Sequence, residues 1–196
     1  MEIFEPGTPI ELRHQILRYH VTQTLTDRER ASFLGLPEGC RIREGAKILC
    51  QEKLKLGKYV WIGENAILDA QGGLEIGDYT QIGLCMYVWS HSSHKQALAG
   101  KTGIDPEHSY ITYKKTTIGS NCFLAGPGCI AAGVTIGNNV IVQPCTMITE
   151  DIPDGSVVGT ARTIKKLESQ VKKYQEQLKQ MNEQIQEILA RLDKDS

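Results

Sequence analysis

The stretch TTIGSNCFLAGPGCIAAGVTIGNNVIVQPCTMI, residues 116–148, decides the fold. An aliphatic residue returns at every sixth position: Ile118, Leu124, Ile130, Ile136, Val142 and Ile148. Two positions before each lies a small or β-branched residue: Thr116, Cys122, Gly128, Val134, Val140 and Thr146. This period matches neither the turn of an α-helix nor the alternation of a simple strand. It fits a solenoid in which each hexapeptide supplies a short strand and a turn, and three hexapeptides close one triangular coil. The aliphatic side chain points inward and stacks on its equivalents above and below. One coil cannot bury its apolar residues alone, but a stack can. Gly119 and Gly137 directly follow an aliphatic residue. Glycine there is expected to serve a corner that needs unusual backbone angles.

Upstream the same pattern reads Leu56-Gly57, Ile62-Gly63 and Leu68-Asp69. After a slip of two residues it continues as Ile76-Gly77, Ile82-Gly83 and Val88-Trp89. The repeat then stops, and SHSSHKQALAGKTGIDPEHSYITYKKTT, residues 90–117, intervenes. Loops of this length within compact repeats are usually functional. His91 lies three residues past Val88, so it is expected to stay on the rigid framework; His94 lies further into the loop. Histidine is suited to general-base work near neutral pH. A metal clip built from His91 and His94 lacks convincing further ligands, with Asp105 and His108 the nearest candidates, and no metal is expected.

On the N-terminal side, residues 10–34 read as two short helices. The first would start near Thr8-Pro9. The second would start at Thr26, which is followed three residues later by Glu29 as in a capping box. They end near Gly35. On the C-terminal side, composition shifts to Lys, Gln, Glu and Leu without glycine or proline from Thr163 onward. Ile164, Val171, Leu178, Ile185 and Leu192 lie seven apart, with Leu167, Tyr174, Met181 and Ile188 interleaved. That is an a/d heptad pattern, and so narrow an apolar stripe calls for a partner helix. The expected organisation is a helical segment over 1–35, a β-solenoid over 36–162 with loop 90–117, and a coiled-coil helix over 163–196.

Low aromatic content (6%) and 19 glycines agree with a turn-rich repeat of small inward side chains. A formal net charge of −1 offers no basic field for nucleic acid. No apolar run approaches the ~18 residues of a membrane span, and the opening MEIFEPGTPIELRHQ lacks the pattern of a signal peptide. The six cysteines, Cys40, Cys50, Cys85, Cys122, Cys129 and Cys145, form no CxxC pair. They are expected as free thiols in a reducing cytoplasm. Cys122 falls in the small inward phase of the repeat, where a thiol is buried and inert rather than nucleophilic.

The repeat, the His-bearing interruption and the closing ITEDIPDGSVVGTARTIKKL, residues 148–167, together resemble the hexapeptide-repeat acyltransferases. The likeness is to the branch of maltose, galactoside and polysaccharide O-acetyltransferases. It implies a mainly β protein, a left-handed parallel β-helix that assembles as a homotrimer, with acetyl-CoA in a cleft between subunits. It implies direct acetyl transfer to a saccharide hydroxyl, with His91 of Ser90-His91 as general base. The N-acetylation of an amino-sugar nucleotide and a non-enzymatic trimeric scaffold are the alternatives. Asp69, Trp89 and His94 are the acceptor-side candidates. On the cofactor side the resemblance points to Gly126, Pro144, Thr149, Arg162 and Lys165, with Lys166 beside it. Two positions depart from the family pattern: Glu150 stands where relatives often carry lysine, and Thr160 where proline is common.

Overall fold

The computed structural model describes residues 25–100 and 110–192, without the side chains of 160–162 and 187–192. The expected helix over 10–24, and Asp105 and His108, lie outside the described residues. The chain divides into two units, Met1–Val158 and Gly159–Ser196.

The first unit is a parallel β-solenoid of about five turns whose strands stack into three faces of six, five and four strands. The inward residues form three unbroken columns. Ile42, Ile62, Ile82, Leu124, Val142 and Val158 follow one another up the first face. Ile48, Leu68, Val88, Ile130 and Ile148 do so on the second. Leu56, Ile76, Ile118 and Ile136 do so on the third. Most are wholly buried. Each such side chain is worth about 1.5–3 kcal/mol over an exposed position. The hexapeptide period is therefore the spacing of the core.

The glycines that follow the inward aliphatics do not serve the purpose expected of them. The left-handed backbone falls two residues later, at Tyr59, Asn65, Tyr79, Cys85, Asn121 and Asn139. At Gly57, Gly63, Gly77, Gly83, Gly119 and Gly137 the reason is close approach between turns. A Cβ on Gly119, for instance, would lie 2.6 Å from the backbone of Gly137 in the turn above.

The corner joining the second face to the third is the irregular one. The first turn carries a 3-10 segment there, Gln51–Lys53. The second carries the slip seen in the sequence, around Gln71-Gly72-Gly73. The third carries the long excursion, which leaves after strand Met86–Val88 and returns at strand Thr116–Ile118.

Helix α1, Asp27–Phe33, covers the first turn. Its capping box is present: Thr26 Oγ1 accepts from the Glu29 amide, and the Glu29 carboxylate accepts from the Thr26 amide. Buried Arg30 donates to the carbonyl oxygens of Ile42 and Leu25, each at 2.7 Å. A short helix α2, His94–Leu98, lies within the excursion.

The second unit holds one uninterrupted helix α3, Thr160–Leu192, which begins slightly before the expected boundary at 163. Its heptad residues Ile164, Leu167, Val171, Tyr174, Leu178, Met181 and Ile185 are all exposed in the single chain. Among the described residues no helix is long and apolar enough to cross a membrane.

Candidate active site at the neck of the excursion

The site begins with a buried carboxylate. Asp69 ends strand Ile67–Asp69 and is fully buried. The turn above it ends in Val88-Trp89, and the chain then departs across the top of Asp69. Oδ2 of Asp69 accepts from the amides of Ser90 at 2.9 Å and His91 at 3.1 Å, and Oδ1 accepts from the Gln71 amide at 3.1 Å. The His91 ring completes the set, with Nδ1 2.6 Å from Oδ2. Burial works against the charged carboxylate, but the Ser90 amide, the His91 ring and the Gln71 amide outweigh it, and the carboxyl lies below its ordinary range.

This geometry fixes the tautomer of a neutral imidazole. An ionised carboxylate can only accept, so Nδ1 carries the hydrogen and Nε2 keeps the lone pair. The arrangement can draw a proton from a hydroxyl and stabilise the imidazolium that results. The His91 side chain is 20% exposed, enough to meet a substrate while Asp69 is shut off from water. Asp69 was expected as an acceptor-sugar ligand; the structure places it behind His91 instead, because the departing chain covers it and its oxygens are engaged.

The excursion closes on itself at this point. His91–Ser92 pairs antiparallel with Thr112–Tyr113, in the register His91↔Tyr113. The Lys114 amide donates to the Ser90 carbonyl at 2.8 Å. Gly72, in the slip one turn below, donates its amide to Ser90 Oγ at 2.8 Å. A Cβ on Gly72 would collide with the Ser90 carbonyl and lie 2.8 Å from the Lys114 amide. The slip thus makes the seat on which the neck rests. His91 stands on this hairpin rather than on the parallel framework itself.

A row of aromatic rings surrounds His91. Tyr87 and Trp89 are 6.4 Å apart, Trp89 meets the imidazole edge-on at 6.3 Å, and Tyr113 stacks on it at 6.1 Å. Trp89, a candidate on the acceptor side, therefore adjoins the His91 ring. His94 does not: it is exposed at the start of α2, with Nδ1 2.8 Å from Ser92 Oγ. Sequence reading did not single out Tyr113, which lies only three residues before Thr116 but carries no periodic signature.

The cofactor-side candidates are spread out. Gly126 and Pro144 occupy successive turns of the corner joining the first and second faces, at the far end of the second-face strands from His91. Gly126 needs no ligand to explain its glycine, since a Cβ there would strike the Leu84 carbonyl in the turn below. Thr149 is exposed just past strand Thr146–Ile148, in the column of Asp69 and Trp89. Lys165 is exposed on α3, and Arg162 lies on the same helix with its side chain outside the described atoms. Glu150 is exposed beside Thr149. Burial pushes the thiols of Cys122 and Cys129 up, away from the reactive thiolate. Among the described residues no cluster of His, Cys, Asp and Glu could hold a metal ion.

No protein-family model matches the chain. By sequence it is 31% identical over 112 residues to WcaF of Escherichia coli K12, named as a colanic acid biosynthesis acetyltransferase. The match covers 57% of each chain, so it spans little more than half of that relative. By fold the chain is similar to the hexapeptide-repeat acetyltransferase VCA0836 of Vibrio cholerae, with TM-score 0.59 and 21% identity over 76% of this chain and 86% of that one. VCA0836 has also been solved with acetyl coenzyme A, and the likeness to that complex has TM-score 0.55. The N-acyltransferase AntD of Bacillus cereus, in complex with dTDP and 3-hydroxybutyryl-CoA, gives TM-score 0.57 at 16% identity, covering 78% of this chain and all of that one. A maltose O-acetyltransferase of Clostridium difficile 630 gives 0.53 at 20%, covering 74% and 79%. The chain is thus similar to WcaF over that stretch of sequence, and similar in fold to hexapeptide-repeat acetyltransferases.

Proposed function

We propose that the protein transfers an acetyl group from acetyl-CoA to a saccharide hydroxyl, with His91 as general base. The observation that carries this reading is the pairing of His91 Nδ1 with the buried Asp69 carboxylate. Asp69 holds the ring so that Nε2 faces outward with its lone pair. His91 takes the hydroxyl proton at Nε2 as the oxygen attacks the thioester carbonyl. The imidazolium then returns that proton to the departing CoA sulfur, so no covalent acyl-enzyme is required. Replacing His91 by Ala is expected to lower kcat by about 10²–10⁴ on the true acceptor, the usual worth of a positioned base. Near-parental turnover would overturn the assignment.

The saccharide acceptor is supported by the names of WcaF and the maltose O-acetyltransferase. AntD, an N-acyltransferase of similar fold, supports a second reading in which an amino sugar is the acceptor. A hydroxyl needs a base where a neutral amine does not, and the buried Asp69 behind His91 favours the hydroxyl. Mass spectrometry of products across sugars and sugar nucleotides separates the two.

The working form we propose is a homotrimer. Two faces of the solenoid carry outward apolar residues, Phe123, Ile141 and Val157 on the first and Tyr87 and Met147 on the second. The third presents Lys55, Glu75, Thr117 and Thr135 in the same register. Leu84, 53% exposed, stands at the corner between the two apolar faces. In such an assembly the His91 edge of one protomer and the Gly126–Pro144 corner of the next can flank one acetyl-CoA. Thr149 is a further residue we assign to that cofactor, and Arg162 and Lys165 are the cations that the resemblance in sequence implies for its phosphates. A consumer of acetyl-CoA with free thiols belongs in a reducing compartment such as the cytoplasm.

A further inference from the structure

Tyr113 is placed more exactingly than a loop residue needs. It pairs directly across from His91 on the return strand. Its ring lies against the imidazole at 6.1 Å and 29°. Trp89 closes another side of the same ring, edge-on at 75°. Asp69 holds Nδ1 on a third. Yet Tyr113 is 51% exposed, so burial of its own surface is a weak reason for its presence.

We propose that Tyr113 is a positioning residue for His91. Its face keeps the imidazole from rotating off Asp69, and it meets the positive charge that the ring gains when Nε2 takes a proton. The proposal rests on the reading of His91 as the base and deepens it. The hydroxyl plays no part, so phenylalanine should replace tyrosine, whereas leucine should not. The role also explains why the excursion returns where it does. A neck one residue longer or shorter would turn the opposite side of the return strand toward His91.

The test uses the full-length chain and two readouts. In ¹⁵N-histidine-labelled protein at alkaline pH, the neutral His91 ring, assigned by its loss in His91→Asn, is expected as one tautomer with the hydrogen on Nδ1. Tyr113→Phe is expected to keep that signature. Tyr113→Leu is expected to show the two nitrogens averaging toward one another as the ring loosens. In the assay, Tyr113→Leu should lower kcat about fivefold, the size of one such contact at a half-exposed site, with KM for acetyl-CoA unchanged. Tyr113→Phe should restore it. The proposal is overturned if leucine preserves the single tautomer, or if phenylalanine loosens the ring as much as leucine does. Tyr113→Met substitutes if the leucine variant fails to fold. A tautomer lost in Tyr113→Leu, together with no acetyl transfer by any of the proteins, would uphold the positioning and sink the acetyltransferase reading.

Discussion

Asp69 shows how a buried charge is kept inside a solenoid. Its carboxylate takes the Ser90 and His91 amides on one oxygen and the Gln71 amide on the other. Asparagine in its place would keep its amide oxygen at the Oδ2 position, where a nitrogen would meet the Ser90 and His91 N–H groups, so Nδ1 keeps its hydrogen but the negative charge that would stabilise an imidazolium is gone. Asp69→Asn is therefore expected to lower kcat by about 10²–10⁴ while leaving the fold intact at neutral pH. The pH dependence follows from the depressed carboxyl. A carboxyl held lower in the folded than in the unfolded chain contributes stability above its unfolded pKa and loses it as pH falls through its folded one. The difference in melting temperature between parent and Asp69→Asn should thus shrink on acidification below the ordinary carboxylate range. A difference that stays constant from neutral to strongly acidic pH would show that the charge is not what stabilises this corner.

At the scale of the strand and turn, tight stacking between coils sets the tolerance. Gly77, Gly119 and Gly137 form a vertical file: a Cβ on Gly77 would lie 2.7 Å from the backbone of Gly119, and one on Gly119 2.6 Å from that of Gly137. Gly119→Ala inserts a methyl against the Gly137 backbone and is expected to cost about 1–3 kcal/mol, read by denaturant unfolding. A cost near zero would mean that the file has slack. The strands of this file were legible in the sequence because an inward residue has no alternative to being aliphatic. Ile118, Leu124 and Ile130 announce their faces by spacing alone. The reason for the glycines was not legible, since a glycine chosen for its backbone angles and one chosen for clearance look alike in a sequence. The pairing of Asp69 with His91 was hidden for another reason. It depends on which residues of adjacent turns stand above one another and on how the excursion folds back over Asp69; the slip at Gly72-Gly73 shows in the aliphatic pattern, but the seat it makes for the neck does not. His91 itself could be picked out because it sits so close to the last inward residue before the break.

For the whole molecule, the exposed seam of α3 calls for partners, and its flanks say which kind. With Ile164 and Leu167 as a and d, the positions beside the seam include Gln170, Gln177 and Gln184 on one side and Gln175 and Asn182 on the other. An amide both donates and accepts, so identical helices can face one another there without like charges meeting. Sedimentation of the full chain at micromolar concentration is expected to give three copies, unchanged at 1 M salt because charge plays little part at the seam. Val171→Asp with Leu178→Asp should weaken the assembly and lower its melting temperature. A parent protein that sediments as a monomer would refute the trimer.

The neck at Ser90 and Lys114 has a consequence for how such proteins diversify. The two ends of the excursion are tied to each other and seated on Gly72 by bonds made at the neck itself. Swapping residues 95–110 for a segment from another protein of this fold should leave the scaffold and its base standing, and alter only which acceptor is admitted to them.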